Sequence, residues 1–589
     1  MKTYEKYKEC NPQETIGKIQ QILREVGLFP LLRWTGDPKS RTRSCRFTLY
    51  PGDCGANGKG TDELYCMASG LAELMERLQN GMLLYRPRWS KDLPDSCFQV
   101  TPDEEELPLS ELLSHPDPFT AQILLRLSGE DVLSDGEALC RQLCAASNEV
   151  PSMKVVPFVD LKTGETFRVP VHLLRYACGS NGMAAGNTME EALVQGLSEL
   201  LEREVNLMIL EGKVVPPEIP DEAVEQYNFY PLIRDLRKKE KYRVSLWDCS
   251  LGKGWPVAAL CVRNLERGTF GIRFGAHPSF PVAVERTLTE AAQGHSMEVF
   301  SASCRAGVPE DVLRGQNLLN IAGDGSGLYP ASLFTEKPGW SYRPWDRFRS
   351  GGNSAFLKIL IEMLDAEGHK VLARDTSFLG FPTCHIVIPD FRPIRLINGA
   401  GVRLKRSMNL AASSWDHFPA LSEAEADRLL RLIRYEEGSV NHNVIKTVSG
   451  LPLTSPAYSS DRVGAFLALH LGQFMHAMHF FHKLAETERD SEKRQYYACL
   501  WEYCNCRRAG HSPEKSECLV RQFYPDSAAD RACRDLSELR QNGLSEAIFP
   551  KRNCPDCGAC PLDGDGCRYR IETEIFCRAA RAMMHRNTV

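Results

Sequence analysis

Up to about residue 425, short apolar runs rich in β-branched residues alternate with stretches whose apolar positions recur every three to four residues. PVAALCVR (Pro256–Arg263), Gly271–Phe274 and Cys384–Ile388 read as strands, and amphipathic helices fall between such runs. From Leu421 onward the strand signal fades and the helical period takes over, as in Arg462–Leu484 and Lys493–Arg508. The pattern predicts an α/β unit over residues 1–425 and an all-α unit over 426–589.

Two predicted helices echo one another. SGLAELMER (Ser69–Arg77) and QGLSELLER (Gln195–Arg203) share six of nine residues. Thr188 followed by Met189, Glu190 and Glu191 predicts a capping box at the start of the second helix. The preceding loop, GSNGMAAGN (Gly179–Asn187), is built of small residues that let backbone N–H groups approach a ligand, and a helix N-terminus favours phosphate.

At about 100° per residue, Glu191, Gln195, Ser198, Glu199 and Glu202 share one arc of the second helix, with Arg203 at its edge. Leu193, Leu197, Leu200 and Leu201 take the opposite side. In the first helix Asp62, Ser69, Glu73 and Glu76 likewise share a face. A solvated polar face is the ordinary reading of one Glu-rich helix. Here the i, i+3 carboxylate pair occurs twice, at Glu73/Glu76 and Glu199/Glu202, and no lysine follows at i+4. Close like charges cost stability unless a cation compensates, and Mg2+ takes carboxylate oxygens together with phosphate oxygens. A third helix, VERTLTEAAQG (Val284–Gly294), places Arg286, Glu290 and Gln293 on one face, where an arginine suits a phosphate.

These segments are similar to the three ATP-binding motifs of the YcaO family, and in the same order. They are the SxxxExxER pattern at Ser69–Arg77, SNGMAAGNTMEEALVQGLSELLERE (Ser180–Glu204) and FGAHPSFPVAVERTLTEAAQG (Phe274–Gly294). The resemblance extends through NGKG (Asn57–Gly60), EIPDEAVEQY (Glu218–Tyr227) and DCSLGKGWPVAALCV (Asp248–Val262) and covers most of residues 1–400. It implies an α+β YcaO-type fold with an internal pseudo-repeat and a tetratricopeptide-like helical C-terminal domain. It also implies Mg-ATP as cofactor, phosphoryl transfer to an amide oxygen, and a homodimer.

Carried over by position, the resemblance makes Lys8 and Thr15 part of an N-terminal segment that closes over the nucleotide. Ser69, Glu76, Ala184, Asn187, Glu191, Arg203, Arg286 and Gln293 become nucleotide contacts, Ala184 standing where relatives often carry serine. Glu73, Glu199, Glu202 and Glu290 become Mg2+ ligands, and Glu199, Glu202 and Arg203 the catalytic group. The subgroup most resembled accompanies ribosomal methylthiolation. An accessory role beside a radical-SAM methylthiotransferase that modifies an aspartate of a small-subunit ribosomal protein is therefore the leading expectation. The chain ends MMHRNTV, without the proline-rich tail of azoline-forming members. A peptide-backbone cyclodehydratase or thioamidating enzyme remains an alternative, as does a non-catalytic, metal-binding scaffold.

Composition adds limits. At 589 residues the chain exceeds one ordinary core. With 43% hydrophobic residues, 25% charged residues and a net charge of -5, it reads as soluble and globular, with no nucleic-acid partner expected. The polar start MKTYEKYKECNPQET and the lack of a long apolar run predict a cytoplasmic protein with no membrane contact. GDCGANGKGT (Gly52–Thr61) is not a P-loop: its glycine spacing is wrong, and Gly60 stands where Ser or Thr must follow Lys59. His476, His479 and His482 read as packed or surface histidines of an amphipathic helix rather than a zinc site. Within the Cys-rich segment 554–577, Cys554, Cys557, Cys560 and Cys567 have a spacing that suits zinc or an iron–sulfur cluster, or else unpaired thiols.

Overall fold

The computed structural model describes residues 8–35, 43–84, 97–127, 152–291, 296–345, 348, 351–392, 407–408, 410–415, 417–436, 444–449, 455–550, 556–562 and 567–587. Helix α1 (Pro12–Val26) starts at Asn11, whose side chain accepts from the Glu14 N–H, and stops at Gly27, where φ of 74° lets the chain turn. Strands β1 (Phe29–Thr35), β2 (Arg43–Tyr50) and β3 (Gly55–Gly60) form an antiparallel sheet in that order. Cys45, Phe47 and Leu49 of β2 pack toward α2 (Glu63–Gln79). Gly58 and Gly60 let β3 lie against the backbone of α2: a Cβ at Gly58 would meet the Cys66 carbonyl at 2.3 Å, and one at Gly60 the Cys66 nitrogen at 2.5 Å.

A second sheet contains β4 (Glu105–Pro108), β5 (Ser152–Asp160), β6 (Thr166–Pro170) and β7 (Met183–Ala185). The central helix α3 (Met189–Leu210) follows. A third sheet is formed by β8 (Tyr242–Asp248), β9 (Val257–Asn264), β10 (Thr269–Ala276), β11 (Cys304–Gly307) and β12 (Gly327–Pro330). Its order is β12-β11-β10-β9-β8, and only β11 and β12 run parallel. Helix α4 (Phe280–Ala291) leaves β10. Helix α5 (Asn353–Ala366) leads to β13 (Leu372–Asp375) and β14 (Thr383–Val387), which complete the second sheet as β4-β5-β13-β14-β7. β9 is buried at seven of eight positions, which explains why its sequence reads as an unbroken apolar run.

Helix α3 lies between two sheets, touching β9 and β10 on one side and β7 and β14 on the other. Leu197, Leu201 and Val205 anchor it there, with Phe274 and Ile386 in the same core. Burial of one stripe leaves the glutamate stripe facing α2 and α4.

After β14 the described chain is helical: α6 (Glu423–Glu436), α7 (Ser460–His470), α8 (Phe474–Thr487), α9 (Ser491–Arg508), α10 (Pro513–Phe523), α11 (Asp526–Asn542) and α12 (Tyr569–Asn587), with short helical turns between. The helical stretch Arg462–Leu484 falls on two helices, because Gly472 adopts φ of 68° and breaks the run. Helix α12 leaves the helical core. Its Ile575, Phe576, Ala579 and Met583 join the core of α1 and α2, and the Arg578 Nη1 donates to the Gly27 carbonyl at 2.7 Å.

Candidate active site

The start of α3 is tied to the N-terminal segment. Thr188 caps the helix by accepting from the Glu191 N–H at 3.2 Å. Only this half of the expected capping box is seen, because the Glu191 carboxylate is drawn elsewhere. It accepts from Lys8 Nζ at 2.9 Å, from the Glu9 N–H at 3.1 Å and from the Asn187 N–H at 3.2 Å. The Thr15 hydroxyl donates to Asn187 Oδ1 at 2.8 Å, and Asn353 Nδ2 holds the Glu9 carboxylate at 2.8 Å. Glu191 is 4% exposed. Burial pushes its carboxyl up, but the Lys8 ammonium and the amide donors outweigh that and hold it below the ordinary carboxylate range. His277 nearby is driven well below its ordinary value, first by burial and then by the charges of Arg286 and Lys8, so it stays neutral.

Further along α3, Gln195 accepts from Arg286 Nη1 of α4 at 2.6 Å. Beyond it, carboxylates from three helices influence one another. Burial raises Glu76 well above its ordinary range, and Arg77 opposes this while Glu73 and Glu199 add to it. Glu73 is raised by burial and by Glu199 and Glu290, against Arg77 and Lys59. Glu202 is raised by burial, against Arg286 and Arg203 and with Glu290 and Glu199. Glu290 is the exception: burial pushes it up, but Lys59, Arg286 and Arg273 hold it below. Glu73 and Glu76 of α2, Glu199 and Glu202 of α3, and Glu290 of α4 therefore share one electrostatic neighbourhood. Ser69 is half-buried one turn before Glu73.

The absence of lysine at i+4 did not leave the pairs uncompensated. Arg77 stands there for Glu73, at 3.9 Å, and also reaches Glu76 at 3.3 Å. Arg203 stands there for Glu199 at 3.8 Å. Arg203 Nη1 also donates to the Ala322 carbonyl at 3.2 Å, and its Nε is buried with no hydrogen-bond partner among the described residues. Lys59 pairs with Glu290. Lys59 was quoted in a motif yet given no role. The signal for it was the glycine on either side, which marks a strand pressed against another backbone.

Glu202, Arg203 and Glu290 also line a cleft of about 370 Å3 that continues past Asn206, Arg273 and Tyr329 under Ser44 of β2. Among the described residues, no three His, Cys, Asp or Glu side chains stand close enough to form a protein-only metal cage. The half-buried, mutually repelling glutamates fit a cation such as Mg2+, and Arg203 and Arg286 fit phosphate oxygens.

Other expected residues lie apart. Ala184 is wholly buried in β7, in the core that α3 packs on, so its side chain does not reach the cleft. Gln293 and Cys554 lie outside the described residues. Cys557, Cys560 and Cys567 pack at the margin of the helical core, while Cys554, the fourth residue of that spacing, lies outside the described residues. His482 on α8 pairs with Glu486 at 3.3 Å. No helix among the described residues is long and apolar enough to cross a membrane.

The profile of the YcaO cyclodehydratase family, described as ATP- and Mg2+-binding, matches residues 57–392. The chain is 28% identical over 520 residues to the ribosomal protein S12 methylthiotransferase accessory factor YcaO of Escherichia coli, covering 84% of this chain and 85% of that protein. It is 29% identical over 556 residues to an uncharacterized protein of Haemophilus influenzae, covering 90% and 92%. Among solved structures, a heterocyclase in complex with substrate and cofactor matches with a TM-score of 0.45 and 18% identity, over 66% of this chain and 53% of that one. The chain thus spans about half the length of that heterocyclase. The YcaO from Methanopyrus kandleri, bound with AMPPCP and Mg2+, matches with a TM-score of 0.41 and 21% identity, over 66% of this chain and 93% of that one.

Proposed function

The chain belongs to the YcaO family, and from that premise we propose that it binds Mg-ATP between α2, α3 and α4 and transfers the terminal phosphoryl group to an acceptor oxygen. The observation that carries the proposal is that Glu202 of α3 and Glu290 of α4 line one cleft with Arg203 and Arg273, and that Glu290 acts on Glu73 of α2. Lys8, Thr15, Asn187 and Glu191 hold the nucleoside end, where their hydrogen bonds already draw the N-terminal segment onto α3. Glu73, Glu199, Glu202 and Glu290 are the residues to hold Mg2+, while Ser69, Glu76, Arg203 and Arg286 orient the polyphosphate. Mg2+ neutralises polyphosphate charge when bound. The arginines add fixed positive charge that needs no reorganisation during transfer.

The acceptor is a protein amide, and the physiological role is support of a methylthiotransferase that acts on a small-subunit ribosomal protein. The name of the Escherichia coli relative, which spans both chains nearly end to end, supports this role. The test is ATP hydrolysis with and without Mg2+, repeated with Glu199→Ala and Glu202→Ala. Each substitution should lower turnover by about 100-fold or more. A wild-type protein that neither binds nor hydrolyses Mg-ATP would refute the reading. Mass spectrometry of the ribosomal protein, from cells with and without this gene, tests the role separately.

A further inference from the structure

We propose that Lys59 is a catalytic residue of this site: it holds Glu290 before the nucleotide arrives, then yields that carboxylate and places its ammonium on the terminal phosphate. The inference rests on the Mg-ATP reading and adds a residue to which no role attaches in that reading.

The backbone fixes where Lys59 points. Gly58 and Gly60 face α2 so closely that neither leaves room for a Cβ. Side chains alternate along a strand, so Lys59 projects from the opposite face. That face also carries Ser44, which pairs with Lys59 across β2 and β3, and Thr35, which pairs with Ser44. Ser44 and Thr35 both line the cleft. Lys59 therefore stands beside the cleft, paired with Glu290 of its lining, on a strand clamped against α2.

Charge places it at the phosphate end. Lys59 pairs with Glu290 and lowers the carboxyls of Glu73 and Glu76, whereas Glu191 answers to Lys8. The arginines are each held in part by a neutral acceptor. Arg273 donates to the carbonyls of Ile272, Asp324 and Gly325, Arg203 to that of Ala322, and Arg286 to Gln195. Lys59, like Arg203 beside Glu199, has as its partner a carboxylate that the Mg-ATP reading assigns to the metal, but among the described residues it has no backbone carbonyl as a second acceptor. An ammonium on a flexible four-carbon stem changes partners at little cost. When Glu290 turns to its cation, the acceptor left within reach of Lys59 is a phosphoryl oxygen.

The step balances without an added reagent. The bond from phosphorus to the β,γ-bridging oxygen breaks, and its electron pair leaves on ADP. A bond from phosphorus to the acceptor oxygen forms. Lys59 keeps its proton throughout and donates a hydrogen bond to an equatorial oxygen, where charge concentrates.

The test uses the full chain with Lys59→Met and Lys59→Arg. Calorimetry measures binding of the non-hydrolysable analogue AMPPNP across a Mg2+ series, and single-turnover hydrolysis of ATP is followed in parallel. For Lys59→Met the expected result is a several-fold fall in the Mg2+ concentration for half-maximal binding, because a competitor for Glu290 is gone. Hydrolysis should fall by about 100-fold or more. Lys59→Arg should keep the wild-type Mg2+ requirement and retain part of the rate. A merely structural ion pair would not lower the metal requirement. If Lys59→Met binds AMPPNP with an unchanged or higher Mg2+ requirement, or hydrolyses ATP within twofold of wild type, Lys59 does not play this part. Should Lys59→Met fail to fold, Lys59→Arg decides alone: an altered Mg2+ requirement or an abolished rate overturns the proposal. A wild-type protein that does not bind Mg-AMPPNP fails the underlying reading instead.

Discussion

Replacing Glu76 by glutamine should stabilise the metal-free protein while weakening its response to Mg-ATP. The Glu76 side chain is 12% exposed and its nearest cation, Arg77, lies 3.3 Å away. At an effective dielectric near 20, that separation corresponds to a Coulomb attraction of about 5 kcal/mol. The carboxyl is nevertheless raised well above its ordinary value of 4.5, so burial and the charges of Glu73 and Glu199 outweigh Arg77. Ionised Glu76 is thus a net cost to the fold when no added cation balances it. Glutamine keeps the shape and removes the charge, and a gain of about 1–2 kcal/mol is expected. In a unit of this size that corresponds to a Tm rise of roughly 1 °C for each kcal/mol. Saturating ligand at 100 times its Kd adds about 2.7 kcal/mol, and each tenfold loss of affinity removes about 1.4 kcal/mol of it. The assay is thermal unfolding near neutral pH, without metal and then with Mg-AMPPNP, for wild type and Glu76→Gln. The sign can be checked by acidification. A raised carboxyl binds more protons in the folded state, so wild type gains stability as pH falls through the folded value toward 4.5. Glu76→Gln should lack that part of the gain. A metal-free Glu76→Gln that unfolds below wild type, or one with an undiminished ligand shift, would refute the reasoning.

Glu191→Gln should cost about 2 kcal/mol by weakening a buried charge-assisted network, and amide exchange over residues 8–15 should accelerate. Because Glu191 and Glu290 are held low, their contribution is present above 4.5 and is lost as pH falls through their folded values; acid unfolding of Glu191→Gln should be correspondingly shallower. Gly58→Ala should force β3 off α2 and lower stability by about 1–3 kcal/mol, with a matching loss of nucleotide binding by calorimetry. Mg2+ affinity should rise with pH above 4.5, since Glu73 and Glu202 accept a cation only when ionised. A Mg2+ titration of AMPPNP binding between about pH 5 and about pH 8 measures this, and a flat profile would count against these glutamates as the ligands.

The sequence by itself determined whatever depends on neighbours a few residues apart. Strand β9 was legible because burial on both faces leaves an apolar run, and the stripe from Glu191 to Glu202 followed from the helical period. The Asp490 cap that starts α9 just before Lys493 is equally local. The tertiary structure decided which stripes meet. Lys59 and Glu290 are 231 residues apart, and Lys8 and Glu191 are 183 apart. No periodicity carries such pairings, because they follow from how whole helices seat on sheets. The same holds for α12, whose Phe576 packs tilted against Phe98, far away in the chain, with ring centroids 6.2 Å apart. Its apolar residues need burial but carry no address, and the core of α1 and α2 supplies the place. Local sequence sets the angle at which a glutamate leaves its helix, but its charge acquires a partner only when the burial of distant apolar faces has fixed where the helices stand.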